Sequence, residues 1–183
     1  MPIEYTHLIL DACCVLNFNA SGSFMEILQS LPAQVVVTQV VRERELLTLQ
    51  KLNDERCVNE NQLEAAINHG LLLVEDFRDD REAETFVNYA SVLGDDGESA
   101  TCAIAVHREW AIATDDRKAI SFFQREAPHL QILSSLEIIK HWSVVSNAAT
   151  AELREVLWNV RTRGRYVPHK SHPLLPWWQD LME

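Results

Sequence analysis

Four stretches of this sequence place carboxylates beside apolar segments of strand length. Asp11 directly follows Tyr5-Thr6-His7-Leu8-Ile9-Leu10, and Asp115 and Asp116 follow Trp110-Ala111-Ile112-Ala113-Thr114. Glu43 stands shortly beyond the β-branched run Val35-Val36-Val37-Thr38. Glu98 opens a largely apolar helical stretch after the loop Leu93-Gly94-Asp95-Asp96-Gly97. If the strands lie parallel in one sheet, their carboxyl ends share an edge, and four segments deliver acids to it. Like charges gathered this way raise one another's pKa unless a cation neutralises them. Oxygen donors suit a hard divalent ion, Mg²⁺ or Mn²⁺, better than zinc. Such an ion clamps a phosphate and acidifies an attacking water.

The elements that must position these acids read as alternating strands and helices. Strands are expected at 5–10, 35–38, 71–74, 110–114 and 130–133. Helical patterns begin at Ser21 or Ser23, run from Val40 to Leu49, and cover 61–69 (closed by Gly70), 79–92 and 97–109. Another passes through Phe122 and Phe123, and Ser135 is placed to cap one containing Leu136, Ile138 and Ile139. This alternation with short loops predicts an α/β fold, a three-layer α/β/α sandwich around a mainly parallel sheet. Residues 1–147 form the expected domain, followed by a C-terminal segment over 148–183.

Each acid also has an ordinary explanation. Asp96 and Asp116 adjoin helix starts, where N-capping accounts for aspartate. Glu98 complements the positive end of its helix. Glu43 and Glu45 alternate with Arg42 and Arg44, so at least one of them belongs on a solvated face. Asp11, ending an apolar strand, is hardest to explain structurally. Convergence of the acids, rather than any one of them, points to a metal site.

Composition narrows the classes. The chain has 183 residues, 47% of them hydrophobic and 23% charged, enough to build a core without disulfides. No apolar run approaches the roughly 20 residues of a membrane-spanning helix, and no signal peptide opens the chain. Cys13, Cys14, Cys57 and Cys102 lack zinc-motif spacing and read as reduced thiols, which together predict a cytoplasmic protein with no membrane partner. The net charge of −11 is carried by 1–148, with 11 basic against 23 acidic residues, whereas 149–183 holds five basic and four acidic. A body this acidic lacks the basic face of a general nucleic-acid binder.

Three segments together resemble the PIN domain, most closely the VapC-like toxins of bacterial toxin–antitoxin pairs. They are Leu10-Asp11-Ala12-Cys13-Cys14-Val15-Leu16-Asn17, then Asp96-Gly97-Glu98-Ser99-Ala100 running into Ala103-Ile104-Ala105, and Ala113-Thr114-Asp115-Asp116-Arg117-Lys118-Ala119. The resemblance spans roughly residues 5–140. It implies a Mg²⁺- or Mn²⁺-dependent endoribonuclease, with Asp11, Glu98 and Asp115 as metal-binding acids and Asp116 as helper or cap. For the acid after the second strand it offers Glu43, at the family's distance from the strand end, or Glu45, which has the better local match. The two lie about 200° apart on a helix, so they do not serve one ion, and Glu43 is favoured. Asn17 and Thr114 are possible orienting groups for a ligand or water. An antitoxin, a homodimer and an RNA substrate are the partners implied.

The remaining features are secondary. A helix over about 149–162 is expected to stop near Gly164. Pro168, Pro173 and Pro176 then leave little room for regular helix, so an extended aromatic tail is expected. Arg161, Arg163, Arg165 and Lys170 with Tyr166, Trp177 and Trp178 suit RNA by charge and stacking, or the tryptophans cover an apolar surface. His169 and His172 have no neighbours that complete a ligand set. An aspartyl-phosphate phosphatase would need an acid where Cys13 stands, and five scattered glycines build no phosphate loop. The chief rival is a PIN-fold protein that binds RNA or a partner without cutting.

Overall fold

The computed structural model describes residues 4–46 and 56–183, with backbone alone for 44–46 and 56–61. Strands β1 (His7–Leu10), β2 (Gln34–Thr38), β3 (Leu72–Glu75), β4 (Ala111–Ala113) and β5 (Ile132–Leu133) form one sheet in the order β3-β2-β1-β4-β5. Every pairing is parallel. Parallel neighbours require crossovers, and the crossover helices cover both faces. The α/β/α sandwich expected from the alternation is the architecture found.

Side chains on successive strand residues point to opposite faces, and the two cores follow that period. Leu8, Leu10, Val35, Val37, Ala111 and Ala113 face one core. It is closed by α1 (Ala12–Ser21), α2 (Phe24–Gln29), α3 (Arg56–Asn68), α7 (Ser135–Val145), α8 (Thr150–Thr162) and α9 (Leu175–Met182). Ile9, Val36 and Ile112 face the other core, beneath α4 (Asp80–Leu93), α5 (Asp96–Arg108) and α6 (Arg117–Glu126). Helix α5 is buried along most of its length, as its run of alanines, Cys102 and Ile104 predicts.

An ion-pair network ties α5 to α4 and β3. Arg108 donates from Nε and Nη2 to the two carboxylate oxygens of Glu82, each at 2.8 Å, and from Nη1 to Glu75 at 2.7 Å. Its Nη2 also reaches the Asp76 carbonyl, and the guanidinium lies 5.0 Å from the Trp110 ring centroid. The Arg108 and Glu82 side chains are each only 5% exposed. Burial opposes ionisation of Glu82, but the Arg108 and backbone Arg78 hydrogen bonds hold its pKa below the ordinary value.

Several local expectations need correction. Helix α1 has no counterpart in the sequence reading, because it buries the polar Asn17 and Ser21 along with Val15 and Phe18 and so lacks a clean apolar stripe. The cap of α7 is Ser134 rather than Ser135; its side chain accepts from Glu137 N–H while Glu137 returns a bond to the Ser134 backbone. The tail is not extended throughout, because α9 forms over Leu175–Met182 with Pro176 in its first turn, where a missing N–H costs nothing. Helix α8 stops where expected, at Thr162, with Arg163 as its cap in right-handed geometry and no positive φ at Gly164. Of the helix expected from Val40 to Leu49, Val41–Leu46 is a π-helical turn and the remainder lies outside the described residues.

Candidate metal centre

The chain runs from β1 outward through β2 to β3, then returns to β4 and β5 on the other side of β1. The carboxyl ends of β1 and β4 therefore flank the switch point of the sheet, where open parallel sheets bind ligands. Asp11 and Asp115 emerge there. The Asp11 N–H donates to the Ala113 carbonyl at 2.9 Å, which locks the two strand ends together. Asp11 is 4% exposed. Its Oδ1 accepts the Ala12 N–H at 2.8 Å and caps α1, while Oδ2 accepts from Thr114 Oγ1 at 2.9 Å and the Cys13 thiol at 3.1 Å. Burial pushes the Asp11 pKa up against these donors, and the charge of Asp95 adds to the rise.

Asp115 is held by three other elements. Its Oδ1 accepts the Ser135 N–H at 3.0 Å, and its Oδ2 accepts from Asn17 Nδ2 at 2.9 Å. The Tyr166 hydroxyl, from the segment after α8, lies close enough to act on Asp115 as well. Burial raises the Asp115 pKa, and the donors from Ser135, Asn17 and Tyr166 pull it back. Asp116 caps α6, accepting the Lys118 and Ala119 N–H groups at 2.7 and 2.9 Å, while its own N–H donates to Thr114 Oγ1 at 3.1 Å. The capping role expected of Asp116 is therefore present, and Thr114 joins the Asp11 and Asp116 arms.

Glu98 stands in the first turn of α5, whose cap is Asp95 rather than Asp96; Asp96 lies one residue inside the helix. The Asp95 carboxylate accepts the Glu98 N–H at 2.9 Å. Burial raises the Glu98 pKa to about 7, with further contributions from Asp116, Asp11 and Asp95 and an opposing one from Lys118. Asp11, Asp95 and Asp116 thus all act on Glu98, and Asp95 acts on Asp11 as well. With its folded pKa above the unfolded value of 4.5, Glu98 contributes stability below about 4.5 that is lost as pH rises through about 7. Glu98→Gln is therefore expected to melt above the wild type at pH 8 in EDTA and to show no such gain at pH 5. Equal shifts at both pH values would contradict this origin.

Glu43 is exposed on the π-helical turn and takes a hydrogen bond from Gln39 Nε2, one turn earlier, rather than from the strand-end groups. The turn itself packs against α5. The Glu45 side chain lies outside the described residues. Arg161, Arg163, Arg165 and Lys170 are all exposed. Trp178 is buried in the core and Trp177 packs at its margin, so these tryptophans cover apolar surface. Asn17, a possible orienting residue in the sequence, is 4% exposed and bonds to Asp115 and Ser135 Oγ.

Four contributors were not assigned to the site from the sequence: Asp95, Ser135, Tyr166 and the direct bond from Cys13. Asp95 carried a usable signal, since it precedes Glu98 by the three residues of a helix cap. Tyr166 carried none, because only folding brings it to Asp115.

Gly164 shows how tightly the tail is seated against this site. A Cβ there would lie 2.7 Å from the Val160 carbonyl oxygen and 2.8 Å from Asn17 Oδ1. Gly164→Ala is expected to cost about 1–3 kcal/mol by overpacking and to displace the amide that holds Asp115. A thermal melt of the variant matching that of the wild type would refute this.

Comparison with protein-family models, curated proteins and solved structures finds no significant match.

Chemically, Asp11, Glu98, Asp115 and Asp116 bring oxygen donors to this edge, and the repulsion of Asp116 and Asp11 that adds to burial in lifting Glu98 would be relieved by a cation. Among the described residues, the group whose ligand atoms all lie within 4.8 Å of one another is Cys13, Cys14 and Asp115, so the four carboxylates are neighbours at the sheet edge rather than a closed ligand set.

Proposed function

We propose that this protein is a metal-dependent endoribonuclease that hydrolyses RNA phosphodiesters, a VapC-like PIN-domain toxin whose cognate antitoxin restrains it. The observation that carries the reading is the acid cluster at the switch point, with Asp11 and Asp115 on adjacent strand ends and Glu98 lifted to about 7 beside Asp11 and Asp116. Asp11, Glu98, Asp115 and Asp116 would hold Mg²⁺ or Mn²⁺. When bound, the ion supplies an activated water and neutralises the phosphate.

The chain's own residues supply orientation. Thr114 and the Ala12 N–H fix Asp11, and Asn17, Ser135 and Tyr166 fix Asp115. Side chains locked this way pay little reorganisation as charge develops in the transition state. The exposed Arg165 and Lys170 flank Tyr166 in sequence, which places positive charge on the segment that reaches the acids and supports an anionic substrate. A homodimer and an antitoxin segment with basic or aromatic residues for the acidic groove belong to the same proposal.

The test is cleavage of mixed, labelled RNA by purified protein in Mn²⁺, in Mg²⁺ and in EDTA. Cleavage that requires the ion supports the reading. Cleavage that survives EDTA refutes the metal centre, and no cleavage of any RNA moves the protein to the non-cutting, partner-binding reading.

A further inference from the structure

Three of the four cysteines border the acid cluster. Cys13 and Cys14 open α1, and Cys102 on α5 lies close enough for the charges of Asp11 and Glu98 to act on it. Within this group, the Sγ atoms of Cys13 and Cys14 and a carboxylate oxygen of Asp115 all lie within 4.8 Å of one another. We infer that Cys13, Cys14 and Asp115 form a binding site for a thiophilic divalent cation, of which Zn²⁺ is the fitting example.

Zn–S bonds of about 2.3 Å and Zn–O bonds of about 2.0–2.2 Å in tetrahedral geometry set donors roughly 3.5–3.8 Å apart. Asp115 Oδ2 is 3.9 Å from Cys14 Sγ, so only small side-chain adjustments separate this arrangement from a coordinating one. Asp11 Oδ2 accepts from the Cys13 thiol at 3.1 Å and adjoins the group without joining it, so a water would fill the fourth position. Coordination replaces the two thiol protons, which pass to solvent; the two thiolates balance the charge of the ion, and the Asp115 carboxylate leaves the site with one net negative charge. The outer shell is already built. Ser135 N–H and Asn17 Nδ2 orient Asp115, and the Asp115 N–H points at Cys13 Sγ at 3.3 Å.

Thiolates select zinc or cadmium over Mg²⁺ and Mn²⁺. The site therefore differs in chemistry from the oxygen cluster while sharing Asp115 and adjoining Asp11. It stands independently of the nuclease reading. If that reading also holds, a thiophilic ion competes with the hard ion for Asp115 and inhibits cleavage.

The test titrates reduced, EDTA-treated full-length protein with Co²⁺ as a spectroscopic probe, followed by Zn²⁺. The expected result is a thiolate-to-cobalt charge-transfer band saturating at about one equivalent and erased by Zn²⁺. In Cys13→Ser/Cys14→Ala the band is lost and Zn²⁺ affinity falls by about 100-fold or more, the upper range for losing even an outer-shell partner. No band in the wild type, or an undiminished band in the double variant, overturns the inference. Should the double variant fail to fold by circular dichroism, alkylation of wild-type Cys13 decides: Zn²⁺ protects this half-buried thiol, and equal labelling with and without Zn²⁺ refutes the site. None of these readouts depends on RNA cleavage, so loss of the nuclease reading leaves the site standing.

Discussion

Asp11→Asn is expected to lower metal-dependent RNA cleavage by about 10³-fold or more, the scale of several kcal/mol of charge stabilisation, without lowering thermal stability. The two halves of that expectation have different origins. Activity falls because an amide is a poor ligand for a hard cation and carries no charge to hold one. Stability persists because every partner of Asp11 tolerates the exchange. The amide oxygen can keep the Ala12 N–H and the cap of α1. The amide NH₂ then faces Thr114 Oγ1 and Cys13 Sγ, both of which can accept a hydrogen bond. A carboxylate whose pKa is raised by burial is costly when ionised, so at neutral pH the variant should melt at or above the wild-type temperature. Asp115→Asn lacks this property. Both Asp115 oxygens accept from N–H groups, Ser135 on one side and Asn17 on the other, so a new NH₂ must oppose a donor at a cost of about 1–3 kcal/mol. Asp11→Asn is therefore the cleaner probe. Cleavage within about tenfold of wild type in this variant would remove Asp11 from the reaction.

Arg108→Ala is expected to destabilise the protein by about 3–5 kcal/mol, the cost of stranding buried charge by removing its partner. The loss leaves Glu82, 3% exposed, without the guanidinium that engages both its oxygens, and leaves Glu75 without its 2.7 Å contact. It also removes the cation over Trp110. For a chain of this length the change lowers the melting temperature by about 6–20 °C. The effect depends on pH in a definite direction. Because the folded Glu82 pKa lies below the ordinary 4.5, its pairing contributes stability above about 4.5 that is lost as pH falls through the lower folded value. The gap between wild type and variant should therefore narrow in acid. A second variant separates charge stranding from lost packing: Arg108→Met/Glu82→Leu, which removes both charges, should recover much of the loss. A double variant no more stable than Arg108→Ala would assign the loss to packing and hydrogen bonding instead.

The tail changes most between sequence and structure. As sequence, 148–183 reads as a helix followed by an extended basic and aromatic strap. Folded, Leu153, Val156, Leu157, Val160 and Trp178 share the core that contains Leu8 and Leu10, and Tyr166 reaches Asp115. Pro176 argues against helix only where an internal N–H is lost, and in the first turn of α9 none is needed. Gly164 carries the same lesson. A glycine after a helix suggests a left-handed cap, yet here the missing Cβ makes room for Asn17 and the Val160 carbonyl.

The sequence by itself determined the α/β alternation, the buried character of α5, the strand ends that carry Asp11, Asp115 and Asp116, and the place of Glu98 at the opening of α5. These follow from local periodicity and burial, which neighbouring residues encode. Only the tertiary structure decided which groups share a hydrogen bond. Asn17 and Tyr166 meet at Asp115 across 98 and 51 residues, Cys13 bridges Asp11 and the Asp115 backbone, and Glu43 turns to Gln39 on an exposed π-helical turn. The physical reason is the range of each signal. Strand and helix patterns repeat within a few residues, whereas a polar contact at the switch point is fixed by sheet order and by helices closing over it, and no spacing along the chain records either.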